Sequence, residues 1–190
     1  LGDEFVSSYP AEALPILCRV IHTTADFSYR DTLTITDGAI EKAKEAIRRG
    51  LPIITDTTMA ASGINKTAAG KFGIEVHCFI GDEDVKEAAK ASGMTRSAVS
   101  AEKAARLYSE CIYAVGNAPT ALMRLYELIE EKKIRPALII GVPVGFVNVV
   151  EAKELVLRTD VPAIVARGRK GGSNIAAAIC NALLYEAGGR

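Results

Sequence analysis

His22 stands in "RVIHTTADF" (19–27), where an apolar run gives way to Thr23, Thr24 and Asp26, with Arg19 three positions earlier. A histidine in such company can move a proton near neutral pH, or it can be a polar residue satisfied by hydrogen bonds at the border of a core. The residues by themselves leave both readings open. The second histidine, His77 in "IEVHCFI", has apolar neighbours on both sides and reads as a hydrogen-bonded structural residue. Other chemistry-bearing side chains fall in short glycine-containing stretches. "GMTRSA" (93–98) holds Thr95, Arg96 and Ser97, "GNAPT" (116–120) holds Asn117, and "RGRKGGS" (167–173) holds Arg167, Arg169, Lys170 and Ser173. Guanidinium groups grip carboxylates or phosphates through paired N–H bonds, and glycine lets the backbone approach a ligand closely. An arginine in the first turn of a helix opposes the helix dipole, so Arg96 hints at a bound anion, whereas Thr95 and Ser97 read equally well as caps. The combined chemistry is proton transfer beside an anionic ligand.

Five segments rich in β-branched and aliphatic residues must position these loops: 52–56, 74–81, 111–116, 137–141 and 163–168. Each is nearly continuous in apolar residues, as strands buried on both faces are. Helical spacing lies between them. Residues 37–50 place Ile40, Ala43 and Ile47 on one face, with Asp37 as expected N-cap and Gly50 as stop. Residues 117–133 place Leu122, Leu125, Tyr126 and Ile129 on one face behind Asn117 as expected cap, and 83–92, 95–109, 150–158 and 173–186 follow suit. The polar face of 150–158, with Glu151 and Lys153, reads as solvated, and Tyr108, Tyr113 and Tyr126 read as packing residues. Alternating strands and helices imply a three-layer α/β/α sandwich with a mainly parallel sheet of about five strands, flavodoxin-like or Rossmann-like. Ahead of it, Ser8, Pro10 and Glu12 precede Leu14, Leu17 and Ile21, a helical pattern despite Pro15. That helix would carry His22 in its last turn, where the dipole favours imidazolium.

Composition narrows the function classes. Lysine plus arginine and aspartate plus glutamate number 23 each, so no net field draws in nucleic acid or a membrane surface. The longest apolar stretch, 136–150, is broken by proline and glycine and is shorter than the ~20 residues of a membrane span. Cys18, Cys78, Cys111 and Cys180 lie far apart among apolar neighbours and read as buried free thiols in a reducing cytoplasm, with no metal site. No secretory signal is visible, and the length suits one domain over 1–190. "GRKGGS" lacks the order of a phosphate loop and "GVPVGF" lacks the three glycines of a dinucleotide turn, which argues against a nucleotide ligand.

From Arg19 onward the chain resembles the precorrin-8X methylmutase (cobalt-precorrin-8 methylmutase) family. "RVIHTTAD", "DTTMAASGI", "GMTRSA", "GNAPTAL", "GVPVGFVNVVEAK" and "GRKGGSNIAAA" carry the resemblance in order along the sequence. It implies a cytoplasmic homodimeric isomerase of cobalamin biosynthesis that needs no cofactor. The implied reaction shifts a methyl group from C11 to C12 of a corrin-type macrocycle by a 1,5-sigmatropic step. It also implies His22 as catalytic residue and Arg19, Thr95, Arg96, Ser97, Asn117 and Ser173 as substrate contacts. A ring edged with acetate and propionate carboxylates suits dispersed cations, for which Arg167, Arg169 and Lys170 are further candidates, and an apolar slot such as Pro143 to Phe146. Ala25 stands where glycine is expected in many relatives, and family members carry a further segment ahead of "LGDEF" that is missing from this sequence. Those two departures motivate an alternative: a relative that binds or carries the corrinoid without catalysis.

Overall fold

The computed structural model describes residues 1–189. The chain opens with α1 (Asp3–Ser8), α2 (Leu14–Thr24), the single turn α3 (Tyr29–Thr32) and β1 (Leu33–Ile35). α4 (Ala39–Arg48) leads to β2 (Ile53–Thr55), α5 (Thr58–Gly63) and α6 (Lys66–Gly70) lead to β3 (Val76–His77), and α7 (Glu83–Ser92) and α8 (Arg96–Leu107) lead to β4 (Ile112–Val115). α9 (Pro119–Glu130), β5 (Leu138–Gly141), α10 (Val149–Val156), β6 (Ala163–Ala166) and α11 (Ser173–Ala187) complete the order.

The strands form one six-stranded sheet in the order β1-β6-β5-β4-β2-β3, parallel except for β1. Leaving β1 aside, the parallel strands follow the flavodoxin order, in which the strand sequence reverses direction between β2 and β4. Side chains alternate between two cores because successive residues of a strand face opposite ways. Ile112, Ala114, Leu138, Ile140 and Ile164 join the residues of α2, α4 and α11 on one face. Tyr113, Val115, Ile139, Ala163 and Val165 join those of α8, α9 and α10 on the other. The three layers and the mainly parallel sheet match the reading of the sequence.

Several details differ. β1 was not among the expected strands: three residues on an antiparallel edge, Leu33 buried and Thr34 and Ile35 half-buried, carry too little periodicity to register. The segment 74–81 yields a two-residue strand because the chain leaves the sheet after His77. Asp37 and Asn117 do not cap helices. Gly38, in the left-handed region, precedes α4, and Ala118 precedes α9 with Pro119 in its first turn. Pro15 lies in the first turn of α2, where its missing N–H costs no intrahelical bond, so the helix tolerates it. Cys18 is exposed and Cys78 half-buried, against expectation, while Cys111 and Cys180 are buried thiols whose ionisation desolvation pushes up to about 12.

Lys153 is the largest correction. It is fully buried, and its ammonium donates to the carbonyls of Gly168 at 2.8 Å and Lys170 at 2.9 Å. Burial lowers its pKa to about 8. Val149, Ala152, Lys153 and Val156 form the buried stripe of α10, so helical spacing places this lysine on the apolar face rather than the solvated one.

Candidate active site

In a flavodoxin-ordered sheet a crevice opens where helices leave adjacent strands toward opposite faces, here beyond the carboxyl ends of β2 and β4. Asp56 follows β2 and is only 1% exposed. Its carboxylate accepts N–H bonds from Gly116, Asn117 and Ala118, each at 2.8 Å. Desolvation raises the Asp56 pKa from the usual carboxylate range, and those three bonds oppose the rise. The carboxylate thus holds the loop that carries Asn117 and the start of α9.

Two further contacts close the crevice floor. The Thr57 hydroxyl caps α5 by accepting from the Ala60 N–H, and it shares a 2.8 Å hydrogen bond with the Ser173 hydroxyl. Gly116 packs so tightly on the start of α11 that a Cβ there would meet the Ser173 Cα at 2.6 Å. Gly116→Ala is therefore expected to destabilise the fold by about 1–3 kcal/mol, the range for overpacking, as measured by chemical unfolding. Thr95 caps α8 by accepting from the Ala98 N–H and donates its hydroxyl to Thr120 at 2.9 Å, joining the starts of α8 and α9. Arg96 is the exposed first residue of α8, and Ser97 beside it is half-buried.

His22 occupies the last turn of α2 as the sequence implied, and it is exposed. It lines a groove of about 680 Å³ between α2 and α11, together with Cys18, Arg19, Tyr185 and Glu186. The Arg19 guanidinium lies 4.9 Å from the centre of the Tyr185 ring, a cation–π contact. His22 and Arg19 thus share one groove. Arg96, with Thr95 and Ser97, starts a helix of the opposite layer, and Asn117 and Ser173 sit at the strand-order reversal. An apolar rim accompanies these polar groups. Val144, Phe146 and Val147, on the loop after β5, are 46%, 87% and 77% exposed, and Phe27 and Met59 are also exposed.

The turn after His22 is held under backbone strain. Ala25 caps α2 with φ of 54°, in the left-handed region, and donates its N–H to the Ile21 carbonyl at 2.7 Å. An L-residue there costs roughly 1–2 kcal/mol, and glycine would relieve that at an entropic cost of about 0.5–1 kcal/mol. Ala25→Gly is expected to raise stability by about 0.5–1 kcal/mol, seen as a small upward shift in Tm.

His77 keeps the structural role read from the sequence. Its Nε2 lies 2.9 Å from the Tyr108 hydroxyl and 3.1 Å from the Glu75 carboxylate, and its ring stacks with those of Phe79 and Tyr108. Tyr108, assigned no role beyond packing, is that partner. Asp56 and Thr57 were noted only as residues at the end of a strand, and they, Lys153 and Tyr185 were given no role in the site. An aspartate immediately after an apolar strand was the available signal for Asp56, and helical spacing was the signal for Lys153. Nothing local distinguishes Thr57 or Tyr185. Among the described residues, no cluster of three or more His, Cys, Asp or Glu side chains is placed to hold a metal ion, and no helix is long and apolar enough to cross a membrane.

Comparison with known proteins bears on this arrangement. The family model described as CbiC, precorrin-8X methylmutase, matches residues 3–186. The chain is 44% identical to the cobalt-precorrin-8 methylmutase of Leptospira interrogans over 185 residues, covering 93% of this chain and 84% of the relative. It is 48% identical to the cobalt-precorrin-8 methylmutase of Salmonella typhimurium over 172 residues, covering 90% and 80%. The solved precorrin-8X methylmutase of Thermus thermophilus superposes with a TM-score of 0.86 at 38% identity, covering 95% of this chain and 89% of that one. On the strength of a family match that spans nearly its whole length, and of a fold shared with a solved member, the chain belongs to the precorrin-8X methylmutase family.

Proposed function

We propose that this protein is a corrin-ring isomerase that converts precorrin-8X, or its cobalt form, to hydrogenobyrinic or cobyrinic acid by shifting a methyl group from C11 to C12. The supporting observation is the placement of His22: exposed at the end of α2, beside Arg19, in a groove of about 680 Å³ within a chain of the methylmutase family. Substrate and product are isomers, so a proton lent to the ring must return to the enzyme. A histidine suits that loan because an imidazole can both give and take back a proton near neutral pH. His22 serves as general acid, stabilising charge that develops on the ring during migration.

Binding divides between apolar and anionic contacts. The exposed side chains of Phe146 and Val147 offer apolar surface to a flat ring. Arg19 and Arg96 meet side-chain carboxylates, and Thr95, Ser97, Asn117 and Ser173 supply hydrogen bonds at the crevice between the two helical layers. Residues 1–190 act as one catalytic domain in a cytoplasmic homodimer, for which sedimentation should give about twice the 20.2 kDa chain mass.

The test is spectroscopic. Purified protein mixed with either substrate form should convert its absorption spectrum to that of the product, and the form turned over faster identifies the physiological substrate. An unchanged spectrum with both forms would sink the isomerase reading. Tight product binding without turnover would favour the carrier alternative that Ala25 motivates.

A further inference from the structure

The loop between β6 and α11 carries Arg167, Arg169 and Lys170 in close succession, and the structure treats them differently. Arg167 is committed: its guanidinium makes a two-pronged pair with Glu154 of α10, at 2.8 and 2.6 Å. Lys170 is committed as well, to Asp26 at 2.6 Å and the Ser28 hydroxyl at 2.9 Å. Lys170 thereby ties this loop to the turn that follows His22. Arg169 is exposed, and among the described residues its guanidinium has no ion pair or hydrogen bond.

The backbone at Arg169 is nonetheless the most firmly held part of the loop. Three consecutive carbonyls each accept a hydrogen bond: Gly168 and Lys170 from the buried Lys153 ammonium, and Arg169 from the Gly145 N–H at 3.2 Å. Gly171 is pressed so closely on the preceding loop that a Cβ would meet the Val142 carbonyl at 2.2 Å, and the Gly172 N–H bonds to that same oxygen at 2.8 Å. The 141–146 loop, with exposed Val144 and Phe146, is therefore joined to the Arg169 loop through main-chain contacts. A buried lysine has been spent on backbone that has no chemistry of its own. What that backbone presents is one unpaired guanidinium beside an apolar tip, on a rigid support that loses little freedom on binding.

We infer that Arg169 is a substrate-recognition residue that binds a ring carboxylate, and that Lys153 is the positioning residue that fixes the loop presenting it. The inference rests on the corrinoid reading above, because it assigns that ligand's carboxylates a partner. It also separates Arg169 from its two neighbours, which composition alone does not do.

The experiment is equilibrium binding of the product corrinoid, followed by its absorption change, against the same corrinoid with its carboxylates amidated. Wild type should prefer the free acid. Arg169→Gln should weaken binding of the free acid about tenfold while leaving the amidated ligand within about twofold, so the preference shrinks by about tenfold, with the share due to Arg19 and Arg96 retained. Arg169→Lys should recover part of the preference, since it keeps the charge and loses the fork. Arg167→Gln should bind both ligands within about twofold of wild type. Equal binding of the free acid by Arg169→Gln and wild type would overturn this inference alone, as would an equal loss for both ligands, which would mark a structural role. Failure of wild type to bind either corrinoid would overturn the functional reading and this inference with it.

Discussion

Replacing His22 by alanine is expected to lower turnover by about 10²–10⁴-fold, the usual worth of a positioned general acid, with product affinity within a few-fold of wild type. Two features keep the expectation specific. The side chain is exposed at a helix end, so its loss removes little packing, and stability should stay within about 0.5 kcal/mol. Arg19, one turn earlier on the same helix, and Tyr185 across the groove are untouched by the change, so the cation–π pair beside His22 stays in place. Turnover, product affinity and Tm measured on one preparation separate the possibilities. Retained turnover would remove His22 from the chemistry. Lost turnover with intact binding would count against a carrier, since a carrier has no step for His22 to assist. His22→Gln provides a second comparison because it preserves hydrogen bonding without an ionisable ring.

The largest effect on stability is expected at Asp56. Asp56→Asn keeps the shape of the side chain but turns one acceptor oxygen into an amide donor. In one orientation that donor faces the Gly116 N–H, and in the other it faces both Asn117 and Ala118. At least one main-chain N–H then loses its acceptor at a position that is 1% exposed. Charge-assisted hydrogen bonds contribute about 1.5–3 kcal/mol each, and an orphaned buried donor carries its own desolvation cost. Removing the charge recovers part of the carboxylate's own desolvation, so the net loss is about 3 kcal/mol, or roughly 6–12 °C in Tm for a chain of this size. Urea unfolding gives the free energy and calorimetry gives the shift. A loss below about 1 kcal/mol would show that the 116–118 loop is held by packing instead. Product affinity should fall in parallel, because Asn117 rides on that loop.

Different parts of the molecule were legible to different degrees. α2 was readable from Leu14, Leu17 and Ile21 because helical periodicity is local, and that was enough to put His22 in a last turn. β4, β5 and β6 were readable because strands covered on both faces are apolar without interruption. β1 was not, since a short edge strand with half-exposed residues has neither signature. Asn117 was singled out as a helix cap and, by resemblance, as a substrate contact. Its actual constraint is an N–H bond to a carboxylate 61 positions away, and no local pattern reports such a partner. The same holds for Ser173, whose hydroxyl partner Thr57 is 116 positions distant. Lys153 shows the opposite failure: its spacing with Val149, Ala152 and Val156 was visible, and its charge led it to be placed in solvent. The desolvation is tolerated because two backbone carbonyls from another loop receive the ammonium, and those come only with the fold.

By itself, then, the amino-acid sequence determined the layered α/β class, the helix that ends at His22, the family resemblance and the set of side chains from which a site is built. These depend on periodicity and residue type within a few turns of chain. The tertiary structure alone decided the strand order that opens a crevice between β2 and β4, and the burial of Asp56 beneath it. It also decided which cations are spent on Glu154 and Asp26 and which one is left facing outward. Those outcomes depend on pairings between residues far apart in sequence, whose free energies are set by desolvation and geometry that exist only once the chain has folded.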